Sequence, residues 1–320
     1  MRLATVLTPM SDENLALAAQ CGVNDVVTRY YGPDAADLVA VQRRVERFGL
    51  RLAVVEGYLP IENIKTGCDD GSELAAMKML IRQLGDTGVP ILCYNFMAGT
   101  DWVRTRLDVP ERGGARVNAF DLAEAERAIL LGHDGAGVME PSDSATVTSD
   151  ALWTRLETLL GELCPVAEQA GVVLAMHPDD PPLDAFQGKA RIMNSVENFR
   201  RLTTLVPSPS NKICFCQGTF AEMGVDTPAA IRALGEHIAY VHFRDVRGTA
   251  TSFVETFHDN GPTDMVAAMK AYREVGFAGP IRPDHVPQLF GEEDGEPGYT
   301  MRGRLFAYGY IRALMQATDT

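Results

Sequence analysis

Eight times along this chain a short β-branched run is followed by a stretch with helical periodicity, and that alternation constrains the fold more than any other feature. The runs are RLATVL (2–7), NDVVTRY (24–30), LRLAVVEG (50–57), PILCYNF (90–96), VVLAMH (172–177), KICFCQ (212–217), IAYVHFRD (238–245) and GPIRPDH (279–285). Between them lie segments such as DLVAVQRRVERFG, ELAAMKMLIRQLGDTG and TDMVAAMKAYREVG, whose apolar residues recur at helical spacing. Ser72 and Thr263 precede first turns, and Gly49, Gly88 and Gly276 follow last turns. Strand then helix, repeated without a second cluster of strands, predicts an α/β chain folded as one (β/α)8 barrel over residues 1–320. The long interval after the fourth run is expected to be an elaborated loop, at about 97–150, with helical segments at 121–132 and 150–170. A doubly wound open sheet fits less well, because no G-x-G-x-x-G opens a helix after the first strand and no G-x-x-x-x-G-K-[ST] occurs.

Composition narrows the partners. A formal charge of -14 speaks against nucleic acid and anionic membrane surfaces, both of which need a basic patch. No run of apolar residues is long enough to span a bilayer. Asp12, Glu13 and Asn14 interrupt the N-terminus before a signal peptide's apolar centre can form. Six dispersed cysteines suit reduced thiols, so a cytoplasmic location is expected.

Active sites of such barrels lie at the carboxyl ends of the strands. The fifth run ends in His177, the sixth holds Cys216, the seventh holds His242 and the eighth reaches Asp284. Imidazole, thiolate and carboxylate groups together bind a divalent cation, and four neighbouring strand ends bring them to one centre. Strand alternation puts Tyr240, His242 and Arg244 on one face and keeps Arg282 in phase with Asp284. Arg244 and Arg282 are therefore candidates to fork a substrate carboxylate above the cation. Pro178, Pro181 and Pro182 stop the fifth strand and stiffen the loop that presents His177. Asp179, Asp180 and Asn95 are candidates for substrate hydroxyls, with Asp179 alternatively orienting His177 or holding a loop turn. His258 follows the seventh strand in a loop able to fold over the site.

MHPDDPP (176–182), CYNFMAGTDWVRT (93–105), PIENIKTG (60–67), GKARI (188–192), RPDH (282–285) and EPGYTMRGRL (296–305) resemble the mannonate dehydratase family. The resemblance implies a xylose-isomerase-like TIM barrel that removes water from D-mannonate, giving 2-keto-3-deoxy-D-gluconate. It implies Mn²⁺ on His177, Cys216, His242 and Asp284, the four residues already reached from strand position. Fe²⁺, Co²⁺ and Zn²⁺ are the alternatives; ligand softness alone favours zinc. The resemblance also implies that His285 and Tyr299 transfer the protons. A phenol serves as a base only if a nearby cation, such as the metal or Arg304, lowers its pKa. MRLATVLTPM lacks the family's Trp and Gly, and Ile61 stands where a histidine is usual. Both changes fall where the far end of the substrate is expected, so a closely related aldonic acid is an alternative substrate. A metal-dependent sugar isomerase or epimerase and a non-catalytic sugar-acid-binding relative are the rival readings. Barrels of this type often self-associate, and a homo-oligomer is expected.

Overall fold

The structure, a computed structural model, describes residues 1–30, 32–130, 137–138 and 146–319. Its centre is a closed barrel of eight parallel strands: Arg2–Val6, Asp25–Thr28, Arg51–Glu56, Ile91–Tyr94, Val173–Met176, Asn211–Cys216, Ile238–Phe243 and Pro280–Pro283. Each coincides with one of the eight β-branched runs, the sixth starting one residue before its run, at Asn211. The first strand pairs with both the second and the eighth, which closes the cylinder and leaves no free edge.

Alternation along each strand separates two cores. In the sixth strand Ile213 and Phe215 face the helices, while Cys214 faces the barrel axis with Ala4, Val54, Ala175 and Tyr240. The helix Ser149–Ala170 buries Leu152, Leu156, Leu159, Leu163 and Ala167, a stripe at three- and four-residue spacing. Helix starts follow carboxylate and hydroxyl caps: Asp226 accepts from the amide of Ala229, and Ser195 from that of Asn198. Two expected starts shift. Ser72 is the first helical residue, and Asp69 accepts from the amides of Glu73 and Leu74. Asp264 caps the helix Met265–Glu274, because Thr263 is drawn away to Asp245.

The interval after the fourth strand departs from expectation. Residues 150–170 are helical as predicted, but the described part of 121–132, residues 121–130, is not an α-helix: Leu122–Arg127 is a short 3-10 turn, followed by Ile129–Leu130 in an antiparallel ladder. Arg106–Pro110 and Arg116–Asp121 join Val246–Thr249 and Ser252–Glu255 in a four-stranded antiparallel sheet. Loops from the fourth and seventh barrel strands thus build one platform over one side of the barrel. Two hairpins, 106–121 and 246–255, are joined by the pairing of Arg116–Asp121 with Ser252–Glu255, a long-range contact that local periodicity does not signal.

Candidate active site at the barrel mouth

Register brings the donor residues level. Cys216 pairs with His242, and His242 pairs with Arg282. Asp284 lies two residues further, where its amide donates to the carbonyl of Phe243. Donor atoms of His177, Cys216 and His242 lie within 4.8 Å of one another. Asp284 closes the set, with Oδ2 3.5 Å from the sulfur of Cys216 and Oδ1 3.6 Å from Nδ1 of His242.

The two imidazoles carry the argument for a cation. Nδ1 of His177 lies 2.7 Å from the carbonyl oxygen of Pro178, and Nε2 of His242 lies 3.1 Å from Glu56. An oxygen acceptor at each outer nitrogen assigns the protons there. Both inner nitrogens then present lone pairs, and they stand 3.1 Å apart. Arg282 Nη2 lies 3.2 Å from Nδ1 of His242, and a positive centre between the two imidazoles would relieve the remaining repulsion of their lone pairs. A thiol and a carboxylate beside them complete a donor set that fits a divalent transition metal. Glu56 fixes the tautomer of His242 as an outer partner of a metal-binding histidine does.

Asp284 is held by two guanidiniums, Arg244 Nε at 2.6 Å and Arg282 Nη1 at 2.8 Å. Burial alone would raise its pKa, but His285, Arg282, His242 and Arg244 outweigh it and keep the group well below the usual carboxylate range. Close approach by Arg244 depends on Gly218, where a Cβ would come within 2.6 Å of its side chain.

The chamber above this centre is bordered by His177, His242, Asp284, His285 and Tyr299, with Trp102 across from them. Trp102 stacks on His285 with ring centroids 4.1 Å apart. Nδ1 of His285 lies 2.6 Å from Oε1 of Glu255, at the end of a platform strand. Arg104 Nε and Nη2 donate to the same Oε1. Burial works against the Glu255 carboxylate, but His285 and Arg104 hold its pKa at about 2. Tyr299 follows Gly298, whose positive φ and 3.3 Å approach of a built Cβ to His285 leave no room for a side chain. Burial pushes the Tyr299 phenol up despite the cations around it.

Among the expected substrate contacts, Asn95, Asp180 and Arg282 border the chamber, while Arg244, Asp179, Arg304 and His258 do not. Asp180 is pinned by Arg104 and Arg244, which overcome burial and hold it at about 2. Arg282 is committed to Glu56, Asp284 and the Tyr240 hydroxyl. Arg244 is displaced from its expected place because Asp180, Glu222 and Asp284 surround it beside the chamber. Asp179 accepts from the amide of Met193 and ties down its own loop. Arg304 lies behind Tyr299, 5.0 Å from its ring, and donates to the carbonyls of Pro283 and Tyr299. It does not lower the phenol's pKa below its ordinary value. His258 is fully buried against Phe243, and burial takes its pKa to about 4, so it is a neutral packing residue.

Glu56, Glu255, Arg104, Trp102, Arg29 and Tyr58 were missed. Glu56 ends a barrel strand, the same signal that exposed His177. Trp102 and Arg104 sit inside the quoted DWVRT word. Glu255 carried no local signal that links it to the site, because its strand is held between Val246–Thr249 and Arg116–Asp121.

A closed parallel barrel with a cation-type donor cluster and an imidazole–phenol pair at its mouth defines a xylose-isomerase-like barrel enzyme. Solved structures of that class overlay on the chain, including an L-ribulose 3-epimerase at TM-score 0.62 over 99% of this chain and 95% of the other. At 15% identity that likeness shows the fold alone. The family model for D-mannonate dehydratase (UxuA) matches residues 11–320. "Mannonate dehydratase 2" of Halalkalibacterium halodurans is 32% identical over 304 residues, covering 88% of this chain and 87% of the relative. The mannonate dehydratase of Oceanobacillus iheyensis is 33% identical over 300 residues, covering 88% and 85%. The crystal structure of mannonate dehydratase from Streptococcus suis serotype 2 superposes with TM-score 0.89 at 28% identity, covering 99% and 95%. The chain belongs to the D-mannonate dehydratase family of hydro-lyases.

Proposed function

We propose that this chain removes water from D-mannonate, or a closely related aldonic acid, to give a 2-keto-3-deoxy acid. The observation that carries the reading is the cation-type cluster of His177, Cys216, His242 and Asp284 at the chamber that His285 and Tyr299 also line. Those four residues would hold a divalent cation, which would supply Lewis-acid stabilisation of negative charge developing beside the substrate carboxylate. The family resemblance favours Mn²⁺, with Fe²⁺, Co²⁺ and Zn²⁺ as the ions to compare.

The chain's own residues divide the proton transfers. Glu255 at Nδ1 of His285 leaves Nε2 with the lone pair, so His285 takes the C2 proton. Tyr299 keeps its proton at neutral pH because burial raises its pKa, and it protonates the departing 3-hydroxyl. The C–H bond at C2 and the C–O bond at C3 break, water leaves, and the enol so formed ketonises at C3. Trp102 covers His285 and keeps bulk water from the face where the proton moves. All six cysteines are unpaired, which supports a reducing, cytoplasmic setting. Among the described residues no helix is long and apolar enough to cross a membrane.

The test is incubation of metal-loaded protein with D-mannonate and other aldonic acids, followed by mass detection of the 2-keto-3-deoxy product. An isomer or epimer with no loss of water would replace the dehydratase by the isomerase reading. Absence of both product and C2 hydrogen exchange in heavy water, with every acid and metal tried, would leave only a binding protein.

A further inference from the structure

The chamber has a second wall, across the barrel from the cation centre. In the cyclic strand order the second strand stands opposite the sixth, so the ends of Asp25–Thr28 and Arg51–Glu56 face the Cys216 side. Arg29 follows the second strand directly and Tyr58 follows the third, and both border the chamber. A crevice lined by Leu7, Thr8, Met10 and Val27 opens against the same two side chains. Arg29 and Tyr58 therefore stand where a molecule anchored at the cation centre must lay its far end.

Their geometry is prepared. The Arg29 guanidinium lies 5.3 Å from the ring centres of both Tyr58 and Tyr299, and Nη2 donates to Glu296 at 2.9 Å. Its side chain remains 20% exposed. Tyr58 has φ 57°, a left-handed backbone that disfavours a residue with a Cβ, and it follows Gly57 at φ 79°. Such strain persists where surrounding structure over-determines it, and it clusters at ligand sites. Charge selects the ligand. Glu296 neutralises Arg29, so a second substrate carboxylate would have to displace Glu296 to gain a cationic partner at this wall. A guanidinium donor beside a phenol suits neutral hydroxyls.

We propose that Arg29 and Tyr58, with Glu296 holding the arginine, form the subsite that reads the hydroxylated tail of the substrate. They select a long-chain monoacid over both a shorter acid and a diacid. This rests on the dehydratase reading above. Hydrogen bonds to a charged group make such a subsite worth about 10- to 100-fold in discrimination.

The experiment compares wild type, Arg29→Met and Tyr58→Phe, each metal-loaded and checked by circular dichroism. Readouts are KM and kcat for a six-carbon aldonate, and the inhibition constant of a four-carbon aldonate that cannot reach the subsite. Arg29→Met is expected to raise KM by about 10- to 100-fold, with kcat changing less and the four-carbon constant unmoved. Tyr58→Phe is expected to raise KM by about 3- to 10-fold in the same pattern, and carries the test if the arginine variant does not fold. Equal weakening for both acids, unchanged KM in both variants, or wild-type turnover of a six-carbon diacid as fast as the monoacid overturns the subsite. A wild type that forms no 2-keto-3-deoxy product from any acid overturns the dehydratase reading instead, so the two failures are distinguishable.

Discussion

The two halves of the barrel mouth are built differently. Strands five to eight carry residues locked by reciprocal contacts: Asp284 between two arginines, His242 against Glu56, His285 against Glu255. Almost every one of these side chains is removed from solvent. Across the mouth, Arg29 lies over the rings of Tyr58 and Tyr299, and both Arg29 and Tyr58 remain partly exposed. Under the proposed function the first half is pre-organised for charge development, where a small displacement is costly. The second half forms a wall that can change its side chains without dismantling the cation centre. That asymmetry is how a family can keep its chemistry while altering what it accepts.

The comparison breaks most visibly at the donor cluster. His177→Ala and Cys216→Ala are each expected to lose bound metal and about 10³-fold or more in kcat/KM, with the barrel intact by circular dichroism. Full metal content in both would sink the assignment. At the next level, His285→Asn and Tyr299→Phe should keep the metal and lose about 10²- to 10⁴-fold in kcat. C2 hydrogen exchange in heavy water separates their roles: it should vanish with His285→Asn and survive in Tyr299→Phe. The reverse pattern exchanges base and acid.

Glu255→Gln sharpens the contrast further, because it touches neither cation nor chamber yet sets the His285 tautomer. A fall of about 10- to 100-fold in kcat is expected, with KM and metal content nearly unchanged. If kcat survives, His285 is oriented by Trp102 alone.

The smallest effect is on stability in acid. The Asp180 carboxyl is depressed to about 2 in the folded chain, so its contribution is fully present above its unfolded pKa near 4. That contribution disappears as pH falls from roughly 4 through 2, and amounts to about 2 kcal/mol. Asp180→Asn should therefore lower the melting temperature at pH 7 and flatten its decline in acid. A variant that melts in parallel with wild type from pH 7 to pH 3 would show that Arg104 and Arg244 find other partners.

Much of the gathering of His177, Cys216, His242 and Asp284 at one end of the barrel was readable in advance because its determinants are local. Strand ends follow from short β-branched runs, and alternation places Cys216 and His242 inward without knowledge of any neighbour. The helical reading of 121–132 failed for the opposite reason. Asp121 pairs with Ser252, more than a hundred residues away, and Ile129 and Leu130 pair with Arg104 and Val103. Arg244 had the right phase but the wrong surroundings, since Asp180 and Glu222 arrive from other parts of the chain and draw it aside.

By itself the sequence determined the barrel, the inward positions at its carboxyl ends and the residue types able to hold a cation, because periodicity is set within a few residues of each site. Only the tertiary structure decided which charges meet. Glu56 on His242, Glu255 on His285 and Arg29 over Tyr58 and Tyr299 are encounters between distant segments, created when the strands close into a cylinder.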